Sequence, residues 1–196
     1  MDFMRDLIMD KDWDNISDLS LKESDINILH VINEEDLTNF TFEGLKRRLK
    51  IHQETLSRIL YRLADQEILK KVENGYTLTS KAKKLLKPKS SHSKNTTLRL
   101  LQTFLPPEVP IKNIISNLKG KWFGVLRWLG CSMNNEDVTL KWITEDGRTI
   151  ISAVFSQGKL FIDAKMVSDN DLNAALKASH QLIGYITKFI SRSGHN

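Results

Sequence analysis

Thr41-Phe42-Glu43-Gly44-Leu45-Lys46-Arg47-Arg48-Leu49-Lys50-Ile51-His52-Gln53-Glu54-Thr55-Leu56-Ser57-Arg58-Ile59-Leu60-Tyr61-Arg62-Leu63 carries two apolar stripes at helical spacing, separated by a tight break. Thr41 is an N-cap residue whose side-chain oxygen can take an orphan backbone N–H. The short helix it opens turns Phe42, Leu45 and Leu49 inward and Lys46, Arg47, Arg48 and Lys50 outward. In the helix that follows, Leu56, Ile59, Leu60 and Leu63 recur at intervals of three and four, which leaves Gln53, Glu54, Ser57, Arg58, Tyr61 and Arg62 on the opposite side. Upstream, Ile26, Ile28, Leu29 and Ile32 predict a first helix, capped by Ser24 and ending near Glu34. Downstream, Ile68-Leu69-Lys70-Lys71-Val72 and Tyr76-Thr77-Leu78 flank Glu73-Asn74-Gly75. Asn-Gly accepts the positive φ angles of a tight turn, so this stretch predicts a hairpin, and a helix over Ser80 to Leu86 closes the unit.

Helix, short helix, turn, third helix and two-stranded wing is the order of a winged helix-turn-helix. Phe42 to Ile51, Thr55 to Leu63, Ile68-Leu69 and Gly75-Tyr76-Thr77-Leu78-Thr79 together resemble the MarR and ArsR-like winged-helix regulators of bacteria and archaea. Thr55-Leu56-Ser57-Arg58 is similar to the Thr-Val-Ser-Arg stretch of their recognition helix, and Gly75 to Thr79 to their second wing strand. The resemblance covers about a third of the chain and implies a DNA-binding transcriptional regulator. One departure stands out. Where those families place Gly before the first wing strand, this chain has Gln66-Glu67, which predicts a third helix that runs longer or ends less sharply.

The physical logic of the layout is independent of the resemblance. The major groove of B-DNA admits one α-helix, whose exposed side chains reach base edges. Gln53, Ser57 and Arg58, near the N-terminal end of the third helix, are the expected contacts to bases or adjacent phosphates, followed by Thr55 and Arg62. Lys46, Arg47 and Arg48 on the second helix, with Lys70, Lys71 and Asn74 on the hairpin, are the expected phosphate contacts that set register. Glu54 has three readings. It accepts from a cytosine amino group, pairs with Arg58 four residues on, or points away from DNA. The charge distribution agrees with this placement: residues 1–45 hold 3 Lys/Arg against 12 Asp/Glu (net −9), residues 46–94 hold 14 against 4 (net +10), and the remainder 12 against 8 (net +4).

The pattern divides the chain into an acidic segment over 1–19, in which Leu7, Ile8 and Trp13 hint at a short helix, the winged unit over 20–87, a linker over 88–96 and an α+β unit over 97–196. In this last unit Trp122, Phe123, Trp128, Trp142, Phe155 and Phe161 read as core or as the lining of a small-molecule effector pocket. A helix is expected over Pro110 to Leu118, and Lys121 to Leu129 fits helix or strand, with helix the preferred reading. Val138 to Thr144, Thr149 to Phe155 and Lys159 to Ala164 are expected to form an antiparallel meander. Ser168-Asp169-Asn170-Asp171 resembles a capping box before a long helix, whose stripe of Leu172, Leu176, Leu182, Ile183, Ile186, Phe189 and Ile190 packs on that sheet or on a second copy. A homodimer is expected because prokaryotic helix-turn-helix regulators commonly bind two-fold half-sites about 34 Å apart.

Other classes find little in the sequence. An acidic start and the lack of a long apolar run point to a cytoplasmic protein with no membrane partner. Cys131 is the only cysteine, so an internal disulfide is excluded. His30, His52, His92, His180 and His195 are scattered, and no phosphate loop or nucleophile motif is present, so neither a cofactor, a metal nor an enzymatic activity is expected. The competing reading is a winged-helix adaptor that holds a multiprotein complex together, with the C-terminal half open to a protein partner.

Overall fold

The structure is a computed structural model that describes residues 21–86, 97–134 and 137–193. The acidic segment over 1–19 and the linker expected over 88–96 lie outside the described residues.

The three expected helices form as α1 (Glu23–Glu34), α2 (Phe42–Leu49) and α3 (Gln53–Asp65). Thr41 caps α2 as its sequence predicts, Oγ1 accepting from the Gly44 N–H at 3.1 Å. The cap of α1 differs from expectation. Ser24 lies inside the helix, Lys22 is the N-cap, and Asp25 at the third helical position accepts the Lys22 backbone N–H at 3.1 Å. The end of α3 is also a correction, because it stops sharply. Glu67 takes φ +57°, so that its N–H reaches Ala64 O at 3.0 Å and the Ile68 N–H reaches Leu63 O at 2.9 Å. This is the left-handed stop that Gly usually supplies, here made by a glutamate despite the steric cost of its Cβ.

A short strand, β1 (Asn39–Phe40), lies between α1 and α2, and the hairpin follows α3 as β2 (Leu69–Val72) and β3 (Gly75–Leu78). After α4 (Ser80–Leu85) come β4 (Thr97–Phe104), α5 (Ile111–Leu118), β5 (Leu126–Met133), β6 (Val138–Thr144), β7 (Thr149–Ser156), β8 (Lys159–Met166) and α6 (Leu172–Ser193). The fold is α+β, and the eight strands among the described residues form a single antiparallel sheet in the order β2-β3-β1-β5-β6-β7-β8-β4. The hairpin is therefore not a free-standing wing but one edge of that sheet. The link is β1, whose Asn39 and Phe40 pair with Thr77 and Tyr76 on one side and with Cys131 and Gly130 on the other.

Strand alternation sends side chains to two separate cores. On one face, Trp128, Leu140, Trp142, Ile151, Ala153, Phe155, Ile162 and Ala164 meet Ala175, Ala178, Leu182 and Ile186 of α6. Most of the stripe of the last helix is thus used within its own chain, while Leu176 is exposed. On the other face, Leu129, Ile143 and Ile150 join Ile32, Leu45, Leu56, Leu60 and Leu63 from α1, α2 and α3. The expected helix over Lys121 to Leu129 is instead a turn and the start of β5. Gly124 takes φ +56°, which interrupts a helix, and Trp128 stands opposite Trp142 as an edge-to-face pair with centroids 5.4 Å apart. Phe123, Trp128, Trp142 and Phe155 are core, while Trp122 is exposed.

Two glycines allow this close assembly. A Cβ on Gly44 of α2 would lie 2.7 Å from Leu129 Cα, and one on Gly130 would lie 2.2 Å from Asn39 O. Gly44→Ala is expected to lift α2 from β5 and destabilise the chain by about 1–3 kcal/mol. A urea unfolding midpoint equal to that of the unsubstituted chain would refute this contact.

Candidate nucleic-acid interface

The buried side of α3 is Leu56, Ile59, Leu60 and Leu63, and its outward side carries Gln53, Glu54, Thr55, Ser57, Arg58 and Tyr61, all exposed. The Arg58 side chain is 72% exposed and Tyr61 is 75% exposed. Ser57, Arg58, Tyr61 and Arg62 line a shallow hollow on this surface. Of the three readings of Glu54, the structure has the pairing, with its carboxylate bonded to the Arg58 guanidinium one helical turn on. Tyr61 was not singled out by the sequence as a contact. The available signal was its place on the polar side, four residues after Ser57, where a large aromatic has no core to fill.

Two expected contacts are turned inward. The Arg62 guanidinium bonds both oxygens of Asp25, a fully buried carboxylate on α1. Arg48 bonds Glu35 through Nε at 2.9 Å and Nη2 at 2.7 Å. Glu35, also buried, accepts from Lys165 of β8 at 2.7 Å, and its backbone carbonyl accepts from the Lys141 ammonium. These two acids, Asp25 in the first turn of α1 and Glu35 at its C-cap, therefore clamp α3, α2 and the sheet. Burying an ion is costly unless it is paired, so each cation is held in place by what its removal would leave behind.

The remaining expected residues lie around α3. Lys46 meets Glu43 and the Gln53 side-chain oxygen, each at 3.4 Å, which ties the surface of α2 to the first turn of α3. Arg47 is 3.8 Å from Glu43, a looser surface pair. On the hairpin, Lys70, Lys71 and Asn74 are exposed, and β2 packs beside α3. The cations that face solvent therefore form a band from α2 across α3 to the sheet edge. Among the described residues no group of His, Cys, Asp and Glu could hold a metal ion, and no helix is long and apolar enough to cross a membrane.

Compared with protein-family models, curated proteins and solved structures, the chain matches none of them, so the site stands on its own geometry.

Burial pushes the Asp25 carboxyl up, but hydrogen bonds from Arg62 and the Lys22 N–H outweigh it and hold the pKa below the ordinary carboxylate value. A depressed native pKa gives stability that is complete above the unfolded-state value of about 3.9 and is lost as the pH falls through the native one. Asp25→Asn is expected to flatten the acid limb of the stability curve, measured as midpoint against pH. An acid limb as steep in the variant as in the parent would show that this pair is not its source.

Proposed function

We propose that the chain is a sequence-specific, double-stranded DNA-binding transcriptional regulator, in which α3 enters the major groove and the β2–β3 hairpin lies on the backbone as a wing. The observation that carries the reading is the outward side of α3: Gln53, Thr55, Ser57, Arg58 and Tyr61 exposed together on a helix seated by four buried leucines and isoleucines. Of the two exposed acids on that side, Glu54 is paired with Arg58, which reduces its repulsion of phosphate, and Asp65 lies at the far C-terminal end of the helix. In this reading Gln53, Ser57 and Arg58 reach base edges, with Thr55 and Tyr61 beside them. Lys46, Arg47, Lys70, Lys71 and Asn74 take phosphates. Arg48 and Arg62 serve by fixing α2 and α3 against α1.

Binding that neutralises several phosphates releases counterions, so affinity for duplex DNA should fall by about a hundredfold or more between 50 and 200 mM salt. Arg58→Ala should weaken binding by about 5- to 150-fold, corresponding to about 1–3 kcal/mol for a lost base contact, whereas Lys177→Ala on α6 should leave it unchanged. Equal losses for the two variants in a fluorescence-anisotropy titration would remove α3 from the interface. A second reading draws on Tyr61, since an exposed aromatic beside a hollow also suits a protein contact, as in an adaptor. An adaptor retains no duplex DNA even at low salt.

The same proposal includes a homodimer, which places one α3 on each half-site. Because α6 is occupied by its own sheet, we assign the contact to β4, whose outer edge pairs with no other described strand. Light scattering should give twice the chain mass of 22.5 kDa. A mass of one chain at micromolar concentration, alone and on DNA, would reject the dimer.

A further inference from the structure

Trp122 is 63% exposed, an uncommon position for the side chain with the most apolar surface to hide. It is nonetheless held in place. The Arg127 guanidinium lies 4.5 Å from the centre of its ring and is itself fixed by the Gly124 carbonyl and the Glu145 carboxylate. One face of the indole is therefore covered by a cation and the rest is open. Val125 beside it is 48% exposed, and Lys119 and Lys121 in the same loop are exposed.

This loop packs on α6 through Phe123 and Tyr185, with ring centres 5.1 Å apart, and meets the β6–β7 turn, where the Glu145 N–H reaches Val125 O at 3.2 Å. Arg127 directly precedes the Trp128–Leu129 backbone on which Gly44 of α2 rests. The turn that anchors Arg127, Glu145-Asp146-Gly147-Arg148, also meets the end of α2, since a Cβ on Gly147 would lie 2.6 Å from Arg47 O and 3.3 Å from Lys50 Cε. Lys46, Arg47 and Lys50 of α2 and Arg148 of the turn, whose guanidinium is 3.1 Å from Asp171, thus lead toward the loop, where the Lys121 ammonium is bonded to the hydroxyl of Tyr185 on α6. The acids along the way are occupied within it: Glu43 by Lys46 and Arg47, Glu145 by Arg127, and Asp146 by the Thr144 hydroxyl and the Arg148 N–H. The net character of the strip is positive, with one rigid aromatic at its far end.

We propose that the loop Lys119–Val125 is a second DNA-contacting element, which receives the sugar–phosphate backbone that crosses α2. This rests on the duplex-DNA reading given above and extends it into the C-terminal half of the chain. When a recognition helix occupies the major groove, the helix before it crosses the backbone. The phosphates that leave α2 then run along the Lys50–Arg148 strip to Trp122. There the open edge of the indole packs against deoxyribose, Lys119 faces phosphates, and Lys121 exchanges the Tyr185 hydroxyl for one. Contacts of this kind position the protein and lengthen its footprint on one flank without reading bases.

The probe is a mixed-sequence duplex of about three helical turns, titrated with the full chain and with Trp122→Ala, Lys121→Ala and Arg58→Ala. Trp122→Ala should weaken binding by about three- to tenfold with an unchanged salt slope, and hydroxyl-radical protection should shorten on the same flank of each half-site. Lys121→Ala should lower the salt slope by about one phosphate contact. Trp122 is exposed and Trp122→Ala should fold normally; matching circular dichroism confirms that any loss is one of contact. If Trp122→Ala and Lys121→Ala match the parent in affinity, slope and footprint while Arg58→Ala is weakened, the second contact is overturned and the patch passes to a protein partner. If the parent itself retains no duplex at low salt, the DNA reading fails and this inference falls with it.

Discussion

Two residues hold the two halves of this chain together. Asn39 and Phe40 form a strand bonded on both edges, so the hairpin after α3 and the strands of the C-terminal half become one sheet. The pairing is extended beyond the strand itself: Thr38 N–H reaches Cys131 O and Thr41 N–H reaches Leu129 O, each at 3.0 Å. Individual backbone hydrogen bonds contribute about 0.5–1.5 kcal/mol net, too little to fix a domain one by one. What makes this seam firm is that it is dry. Phe40 is buried and stacks on Tyr76 at 6.0 Å, and Gly75 and Gly130 lie where any side chain would strike the Phe40 or Asn39 backbone.

A second constraint is electrostatic. The acidic and basic blocks read as segregated along the chain, yet the fold brings parts of them together. Asp25 and Glu35 from the acidic block are buried and take Arg62 and Arg48 from the basic one, and Lys165 joins Glu35 from the far strand. The net +10 of residues 46–94 therefore overstates the charge offered to a partner. What remains outside is narrower and better placed: Arg58 tempered by Glu54, the lysines of α2 and those of the hairpin edge. An interior carboxylate is a demanding neighbour, because an arginine that leaves it strands a charge in low dielectric. That demand fixes the angle of α3 more tightly than leucine packing alone.

Local chemistry was legible where it acts locally. The cap at Thr41, the helical stripes of α2 and α3, the hairpin after α3 and the three strands from Val138 follow from spacing and turn residues that the sequence displays openly, although the tight turn falls on Glu73-Asn74, with Gly75 already paired to Val72. The seam was not, because a two-residue strand has no period to detect and its partners in the C-terminal half, Gly130 and Cys131, lie 90 and 92 residues away. Lys121 to Leu129 misled for a related reason. Leu, Val and Trp fit a helix or a buried strand equally, and the deciding features are the positive φ of Gly124 and a cross-strand tryptophan pair. Within the site, the outward side of α3 was readable from periodicity, but the inward turn of Arg48 and Arg62 was not, since their acids sit on another helix. Tyr61 passed unnoticed because outward aromatics are easily taken for filler.

The clamped seat of α2 carries a mechanical consequence. With Gly44 against Leu129, Gly147 against Arg47 and Glu35 tied to β8, α2 has no hinge about which to swivel on the sheet. A load applied to the far strands, by a ligand or by a second subunit, reaches α3 as tilt of an entire slab. In the proposed dimer such a body would adjust the distance between two copies as a lever does, through small rotations at the fulcrum, while the shape of each α3 surface stays the same.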